Sequence, residues 1–265
     1  MKKIGLIGTG NMGTAILEGL FRKRLAKPSQ VWVYDALPAK AKAFARRWKT
    51  HAARNLPELL KAADVIILAF KPQDLVAAGP MLRSNWKSRH TGISILAGTP
   101  LVKLRRFLGS QGKWVRAMPN LGAKVGASVT ALTGDRQALK TAEQIFSGCG
   151  QTVRLKERDF DLVTAVSGSG PAYYFLLMEM LIAAARQEGL PEKAARMLAV
   201  QTAVGAGLLA QQSADAPGEL RRQVTSKKGT TEAALKVFEA GRFGALVKRA
   251  VRAAMRRGRE LSRAA

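Results

Sequence analysis

The sequence predicts an α/β protein, with an N-terminal Rossmann-type doubly wound sheet followed by an all-helical dimerisation half. Three observations predict it. Apolar, strand-like runs alternate with helical segments through the first half of the chain. Gly8, Gly10 and Gly13 form a G-x-G-x-x-G triplet directly after the first run and at the mouth of the first helical segment. From Phe160 onward no strand-like alternation occurs, and helical periodicity continues to the end. The expected division is residues 1–157 for a dinucleotide-binding domain and 158–265 for a helical dimerisation and substrate-binding domain.

The elements follow in order. "KIGLIG" reads as a buried strand, and "NMGTAILEGLFRK" has helical spacing. "QVWVYD" is a second strand, followed by the helix "LPAKAKAFARRW", with Pro38 near its first turn, where a missing N–H costs little. "ADVIILAF" is a continuous apolar run, as suits a parallel strand covered on both faces. "TGISILAG", a short helix from Leu101, "KWVRAM", "ASVTAL", a helix from Asp135 and "QTVRL" complete the half. Four helical stretches follow, beginning at Phe160, Pro191, Thr231 and Phe243. They carry Ala, Leu and Met on more than one face. Such helices need partners on several sides, so another subunit is expected.

Bulk properties narrow the function classes. The 265 residues suffice for one large domain or two ordinary ones, and 47% hydrophobic content is globular. No apolar run is long enough to span a bilayer. The opening "MKKIGLIGTG" runs straight into the glycine motif, so it is not read as a signal peptide. Cys149 is the only cysteine; it excludes an internal disulfide, fits a reducing cytosol and is given no catalytic role. A cytoplasmic location is therefore expected. The formal net charge is +26, dense only near the end, at Arg242, Lys248, Arg249, Arg252, Arg256, Arg257, Arg259 and Arg263. A solvated basic face is favoured there over a nucleic-acid footprint.

The glycine triplet has a specific chemistry in this context. Gly8 allows the tight turn, Gly10 lets a pyrophosphate approach the backbone, and Gly13 lets helix and strand pack closely. Asn11 and Met12 complete the expected cofactor-binding turn. Asp35 closes the second strand, 22 residues after Gly13 (35 − 13). There a carboxylate can accept hydrogen bonds from a ribose hydroxyl and repel a 2′-phosphate, which leans toward NADH. Lys40 and Lys42 are near enough in sequence to meet a phosphate, which keeps NADPH open. The plainer reading of Asp35 is a helix-entry cap or a strand-end turn residue.

A dinucleotide fold suggests hydride transfer. Oxidising an alcohol needs a general base, most often His or Lys. The only histidines, His51 and His90, lie away from strand C-terminal ends and read as surface residues. Reducing a carbon–nitrogen double bond asks for less, because a protonated imine is already electrophilic and mainly has to be oriented. Farther along, "VTSKKGTTEAAL" (Val224 to Leu235) leads small hydroxyl residues and a glycine into a helix, the kind of entrance that binds anions.

At this point the sequence resembles the pyrroline-5-carboxylate reductase family, nearly end to end. The resemblance rests on "IGLIGTGNMGTAI", "AFKP" (Ala69 to Pro72), "SILAG" (Ser94 to Gly98), "RAMPN" (Arg116 to Asn120), "VSGSGPAY" (Val166 to Tyr173) and "SKKGTTEAAL". It implies a Rossmann domain followed by a helical dimerisation domain, and reduction of 1-pyrroline-5-carboxylate to L-proline with NAD(P)H. It implies that Phe70, Lys71, Pro72, Ala97, Gly98, Met118, Pro119 and Asn120 flank the cofactor. It implies that Ser226, Gly229, Thr230 and Thr231 hold the substrate carboxylate, and that the Thr231 hydroxyl reaches the ring nitrogen as the catalytic contact. It also implies a homodimer, possibly assembled into a decamer.

Plainer readings stand beside these. Ser226 and Thr230 also fit simple helix caps, Lys71 a solvated loop lysine, and Gly168 and Gly170 a helix kink. The sequence departs from the family pattern where Lys227 and Lys228 replace the usual Pro-Gly, where Leu121 and Gly122 replace Thr-Pro, and slightly in "LAGTP". These departures bear on substrate preference more than on reaction class. One alternative is another imine or β-hydroxyacid reductase. β-Hydroxyacid enzymes of this layout carry a lysine on the inter-domain helix, and none lies between Phe160 and Arg186. The other is a basic nucleic-acid-binding protein on a relic Rossmann fold.

Overall fold

The computed structural model describes residues 2–264. The chain forms two compact units: one runs to Ser169 and takes back the residues from Ala253 onward, and the other is Gly170–Arg252.

The first unit holds an eight-stranded sheet. Its strands are β1 (Ile4–Ile7), β2 (Val31–Tyr34), β3 (His51–Ala52), β4 (Val65–Leu68), β5 (Thr91–Ser94), β6 (Lys113–Met118), β7 (Ser128–Gly134) and β8 (Gly150–Arg154). The order is β3-β2-β1-β4-β5-β6-β7-β8. Pairing is parallel except between β6 and β7. The helices are α1 (Asn11–Arg22), α2 (Pro38–Trp48), α3 (Leu56–Ala62), α4 (Leu75–Asn85), α5 (Leu101–Leu108), α6 (Arg136–Phe146) and α7 (Phe160–Val163).

The continuous apolar strands have the helices on both faces that they require. Leu6, Val33 and Ile67 pack with Ile16, Leu20 and Phe146 on one face. Ile66 and Leu68 pack with Leu59, Leu82, Leu104 and Trp114 on the other. The alternation within each strand sends neighbouring side chains to opposite cores.

The strand order creates a switch point in the sheet. The chain moves outward through β2 and β3, then returns to place β4 on the other side of β1. Ile7 lies level with Tyr34 and with Leu68. The residues that follow, Gly8, Asp35 and Ala69, therefore reach the same sheet edge, at the switch point where such folds bind ligands.

Several elements escape the sequence reading, among them β3, α3 and α4. β3 has two residues, too few to show alternation. The start of α3 carries a legible cap: the Asn55 side chain accepts the Glu58 N–H at 2.9 Å. The histidines also differ. His51 is exposed and stacks on Trp32, as a surface residue can. His90, expected at the surface, is fully buried. Its Nδ1 accepts the Lys87 N–H at 3.0 Å, so Nε2 carries the proton and donates to the Leu60 carbonyl at 2.9 Å. The basic loop turns the flanking Lys87 and Arg89 outward while the ring folds inward against Trp86.

The second unit contains α8 (Gly170–Gln187), α9 (Glu192–Gln212), α10 (Pro217–Gln223), α11 (Thr230–Ala240) and the start of α12 (Phe243–Ala264). Its apolar residues are largely uncovered within one chain. Tyr174, Phe175, Met180, Met197 and Leu209 are all more than half exposed. Phe160 and Ala165 are buried in the first unit, and the end of α12 belongs to it.

Candidate cofactor and substrate sites

The glycine turn is built as its spacing requires. Gly8 has φ +100°, and its N–H donates to the Tyr34 carbonyl at 2.8 Å. A Cβ there would lie 2.6 Å from the Ala69 carbonyl oxygen, and one on Gly13 would lie 2.3 Å from the Gly8 carbonyl oxygen. A Cβ on Gly10, by contrast, would meet nothing within 4 Å. Gly10 caps α1 without any side-chain hydrogen bond, and no acidic residue occupies the first turn. The first-turn amides beginning at Asn11 and Met12 therefore face an open approach, which fits a pyrophosphate. Beside this turn lies a groove of about 760 Å³. Thr9, Gly10 and Asn11 line one wall, and Lys40, Phe44 and Arg47 of α2 another.

Asp35 is a working part of the turn. Its Oδ2 accepts the Thr9 N–H at 2.8 Å and the Thr9 hydroxyl at 2.7 Å, while Oδ1 accepts the Leu37 N–H at 3.0 Å. Burial pushes its pKa up, but these three bonds and the charge of Lys40 outweigh burial and hold it below the ordinary value. The strand-end turn role is thus real, and the carboxylate stays ionised.

The remaining cofactor residues predicted from the sequence cluster on successive loops. Phe70, Lys71 and Pro72 follow β4, with Lys71 exposed at the entrance of a 3-10 turn. Ala97 and Gly98 follow β5; Ala97 is exposed and Gly98 is buried with φ +66°. Met118, Pro119 and Asn120 close β6. Asn120 is committed to structure: its Oδ1 accepts the Gly122 N–H at 3.0 Å and its Nδ2 donates to the Ser167 hydroxyl at 3.1 Å. This accounts for Gly122, one of the departures from the family pattern, because a proline has no N–H to donate there.

The "VSGSG" stretch lies against this last loop. Residues Thr164–Gly168 form a π-helical turn, closed by the Ser169 N–H to the Thr164 carbonyl at 2.8 Å. A Cβ on Gly168 would stand 2.6 Å from the Met118 methyl, so the glycine makes room for that side chain. The kink and the close contact with Met118 coexist, and π turns of this kind recur at functional sites.

Sequence reasoning passed over Arg116. It is 5% exposed, lies 4.8 Å over the Phe160 ring and pairs with Glu157 at 3.4 Å. Burial lowers its pKa, and Glu157 works in the opposite sense. Glu157 Oε1 also accepts the Leu101 N–H at 2.7 Å, at the start of α5. The signal was an arginine inside an apolar strand, which demands a partner. Cys149, buried with its thiol pushed up to about 11, is inert packing against α1.

The second unit carries the other anion-type entrance. Gly229 caps α11 with no side-chain hydrogen bond, and a Cβ there would be too close to the Ser226 hydroxyl. Ser226 and Thr230 are exposed, and Thr231 is half-buried. Neither hydroxyl serves as the cap. Lys228 adopts φ +58°, a left-handed conformation, at the position where the family resemblance places glycine. The Glu232 carboxylate accepts the Lys228 N–H and pairs with Lys236 at 3.2 Å. Among the described residues no helix is long and apolar enough to cross a membrane, and no cluster of three or more His, Cys, Asp or Glu could hold a metal.

Comparison with known proteins agrees with this architecture. Residues 157–261 match the family model for pyrroline-5-carboxylate reductase dimerisation, and residues 3–98 that for NADP oxidoreductase, coenzyme F420-dependent. A pyrroline-5-carboxylate reductase of Pseudomonas aeruginosa is 38% identical over 265 residues, covering 98% of this chain and 97% of its own. The structure of a Coxiella burnetii pyrroline-5-carboxylate reductase matches with a TM-score of 0.91 at 33% identity, covering 98% of both chains. A Plasmodium falciparum pyrroline carboxylate reductase with NADP bound matches with a TM-score of 0.85 at 29% identity, again covering 98% of both. The chain belongs to the pyrroline-5-carboxylate reductase family.

Proposed function

We propose a residue-level division of labour for the reaction of this family, reduction of 1-pyrroline-5-carboxylate to L-proline. The chain is an NAD(P)H-dependent oxidoreductase acting on a cyclic imine. One observation carries the proposal: two helices, α1 and α11, begin at a glycine with no side-chain cap. The first turn of α1 carries no acidic residue; that of α11 carries Glu232, whose carboxylate turns back to the Lys228 N–H and leaves the amides after Gly229 without a side-chain partner.

At α1, Gly8, Gly10, Asn11, Met12 and Gly13 hold the cofactor pyrophosphate. Phe70, Lys71, Pro72, Ala97, Gly98, Met118, Pro119 and Asn120 frame the nicotinamide and its ribose. At α11, the amides after Gly229, with the Ser226 and Thr230 hydroxyls, bind the substrate carboxylate, and the Thr231 hydroxyl contacts the ring nitrogen. Bound NAD(P)H supplies a hydride to the imine carbon. The C=N π pair would pass to the iminium nitrogen, which keeps its proton, so the product is a neutral secondary amine. The chain's contribution is orientation: it requires no general base, which agrees with His51 lying on β3 and His90 serving as a buried structural ring.

Cofactor choice leans to NADH. The ionised Asp35 keeps acceptor capacity on Oδ1 for a ribose hydroxyl and opposes a 2′-phosphate. Lys40 partly offsets that charge, so use of NADPH persists. The helical half forms a homodimer, because the apolar faces of α8 and α9 need cover, and the family resemblance points to assembly of such dimers into a decamer. The site is cytoplasmic, and nucleic acid has no part in it.

The test is cofactor oxidation with pyrroline-5-carboxylate, NADH against NADPH, for the parent and Asp35→Ser. Turnover is expected with both cofactors, and the variant shifts the kcat/KM ratio toward NADPH by about tenfold, some 1.4 kcal/mol. No turnover in folded protein refutes the residue assignment as a whole. Unchanged ratios show that Asp35 serves only the Thr9 turn. Sedimentation of a monomer at micromolar concentration refutes the dimer.

A further inference from the structure

The end of α12 returns to the first unit, and one face of it lies on the loop after β5. Gly98 is the contact point. A Cβ there would lie 3.3 Å from the Ser262 backbone nitrogen and 3.4 Å from the carbonyl carbon and Cβ of Leu261. The loop and the helix therefore meet backbone to backbone, and Thr99 beside them is 1% exposed. One turn earlier, a Cβ on Gly258 would lie 3.5 Å from Asp161 Oδ1. Arg259 reaches the same carboxylate, at 3.8 Å from Oδ2. Gly258, Leu261 and Ser262 are spaced i, i+3, i+4 and so share one helix face. The Ser262 hydroxyl folds back onto the Gly258 carbonyl at 3.0 Å, which keeps this face slim.

From this geometry we infer that the last turns of α12 are a buttress for the cofactor loop, with Gly258 and Leu261 acting as positioning residues for the nicotinamide end of the site. The inference rests on the proposed role of Ala97 at the nicotinamide. Ala97 is exposed on the open side of the loop, while Gly98, next to it, is buried against the helix. Buried Leu96 anchors the loop before this point and the Leu101 N–H on Glu157 anchors it after, but the bonds between them are weak. Thr99 N–H to the Leu96 carbonyl at 3.3 Å and the Thr99 hydroxyl to the Ala97 carbonyl at 3.4 Å are both long. A glycine at φ +66° in a loop with weak internal bonds takes its position from what it leans on. Neither Gly258 nor Leu261 touches a reacting atom in this account. They act through the backbone at Gly98.

The experiment uses the full-length protein and separates cofactor from substrate kinetics. Leu261→Gly removes the Cβ that meets Gly98, at a side chain that is 45% exposed, so the fold survives. Gly258→Val adds two methyl groups beyond a Cβ position already in van der Waals contact with Asp161. Both are expected to raise KM for NAD(P)H about five- to tenfold and to lower kcat, with KM for pyrroline-5-carboxylate and the oligomeric state unchanged, because small errors of alignment tell on hydride transfer. Leu261→Ala, which keeps that Cβ, holds the parent values. An NAD(P)H KM within twofold of the parent for both variants, or equal rises in both KM values, overturns the buttress. Ala97→Trp separates the two layers of the argument. If it leaves NAD(P)H kinetics unchanged, the role of Ala97 fails and the buttress falls with it. If it abolishes cofactor binding while Leu261→Gly and Gly258→Val are silent, the cofactor site stands and the buttress alone is overturned.

Discussion

The glycine turn at α1 and the "SKKGTT" turn at α11 both leave a helix N-terminus open, but they are held in different ways. The α1 turn is gripped from three strands. Gly8 bonds to Tyr34, Asp35 bonds to Thr9, and Ala69 fills the space where a Gly8 side chain would go. The α11 turn is held almost wholly by its own neighbours, with Ser226 against Gly229 and Glu232 reaching back to Lys228. The first turn is fixed by long-range packing and has no room for a side chain at Gly8 or Gly13. The second is a local device, and it tolerates even a lysine in a left-handed conformation. The lesson is that the same anion chemistry at two helix entrances can have opposite sensitivity to substitution.

The largest expected effect attacks the rigid turn. Gly13→Ala must push its Cβ to 2.3 Å from the Gly8 carbonyl oxygen. We expect loss of cofactor binding by at least about a hundredfold and a fall in stability of about 2–4 kcal/mol. Gly10→Ala is the control, because its Cβ enters open space. It should keep the parent Tm and lose only NAD(P)H affinity. Equal behaviour of the two variants in thermal melts and cofactor titration would break the contrast.

Next comes the local turn. Thr231→Ala and Ser226→Ala should keep cofactor affinity and lower turnover about ten- to a hundredfold, as expected for a lost hydrogen bond to a charged group, about 1.5–3 kcal/mol. Parent-like turnover in both would reduce the α11 entrance to an ordinary helix start.

A smaller effect separates the rigid unit from its surroundings through pH. His90 is buried as the neutral ring. Burial lowers its pKa most, the bond to the Leu60 carbonyl works against this, and Arg89 adds to the lowering. Between its folded pKa and the unfolded value near 6.5, the unfolded chain binds more protons than the native one. Its contribution is therefore complete above about pH 6.5 and is lost as pH falls below that. Melting temperatures measured from about pH 7.5 down to about pH 5.5 should fall by a few degrees more in the parent than in His90→Gln. Parallel curves would show that the ring is not held neutral.

The smallest expected effect sharpens the comparison from the other side. Lys228→Gly removes a left-handed, non-glycine residue and should raise stability by up to about 1 kcal/mol, seen as a rise of a few degrees in Tm. A lower Tm would mean that the Lys228 side chain contributes more than its backbone conformation costs.

Much of this molecule is set by local sequence. The three glycines, the apolar parallel strands and the acidic close of β2 place a nucleotide turn at residues 8–13, because turn conformation, alternation and spacing are short-range properties. The hydroxyl-rich entrance to α11 is legible for the same reason. Tertiary structure decided the rest. It buried His90, which an exposed-looking basic loop concealed, and it joined Arg116 to Glu157, 41 residues away. It gave Asp35 three donors from the chain before any ribose is bound, and it returned the end of α12 to Gly98. Each of these depends on residues distant in sequence whose meeting is fixed by strand order and helix packing, and no local pattern encodes such a meeting.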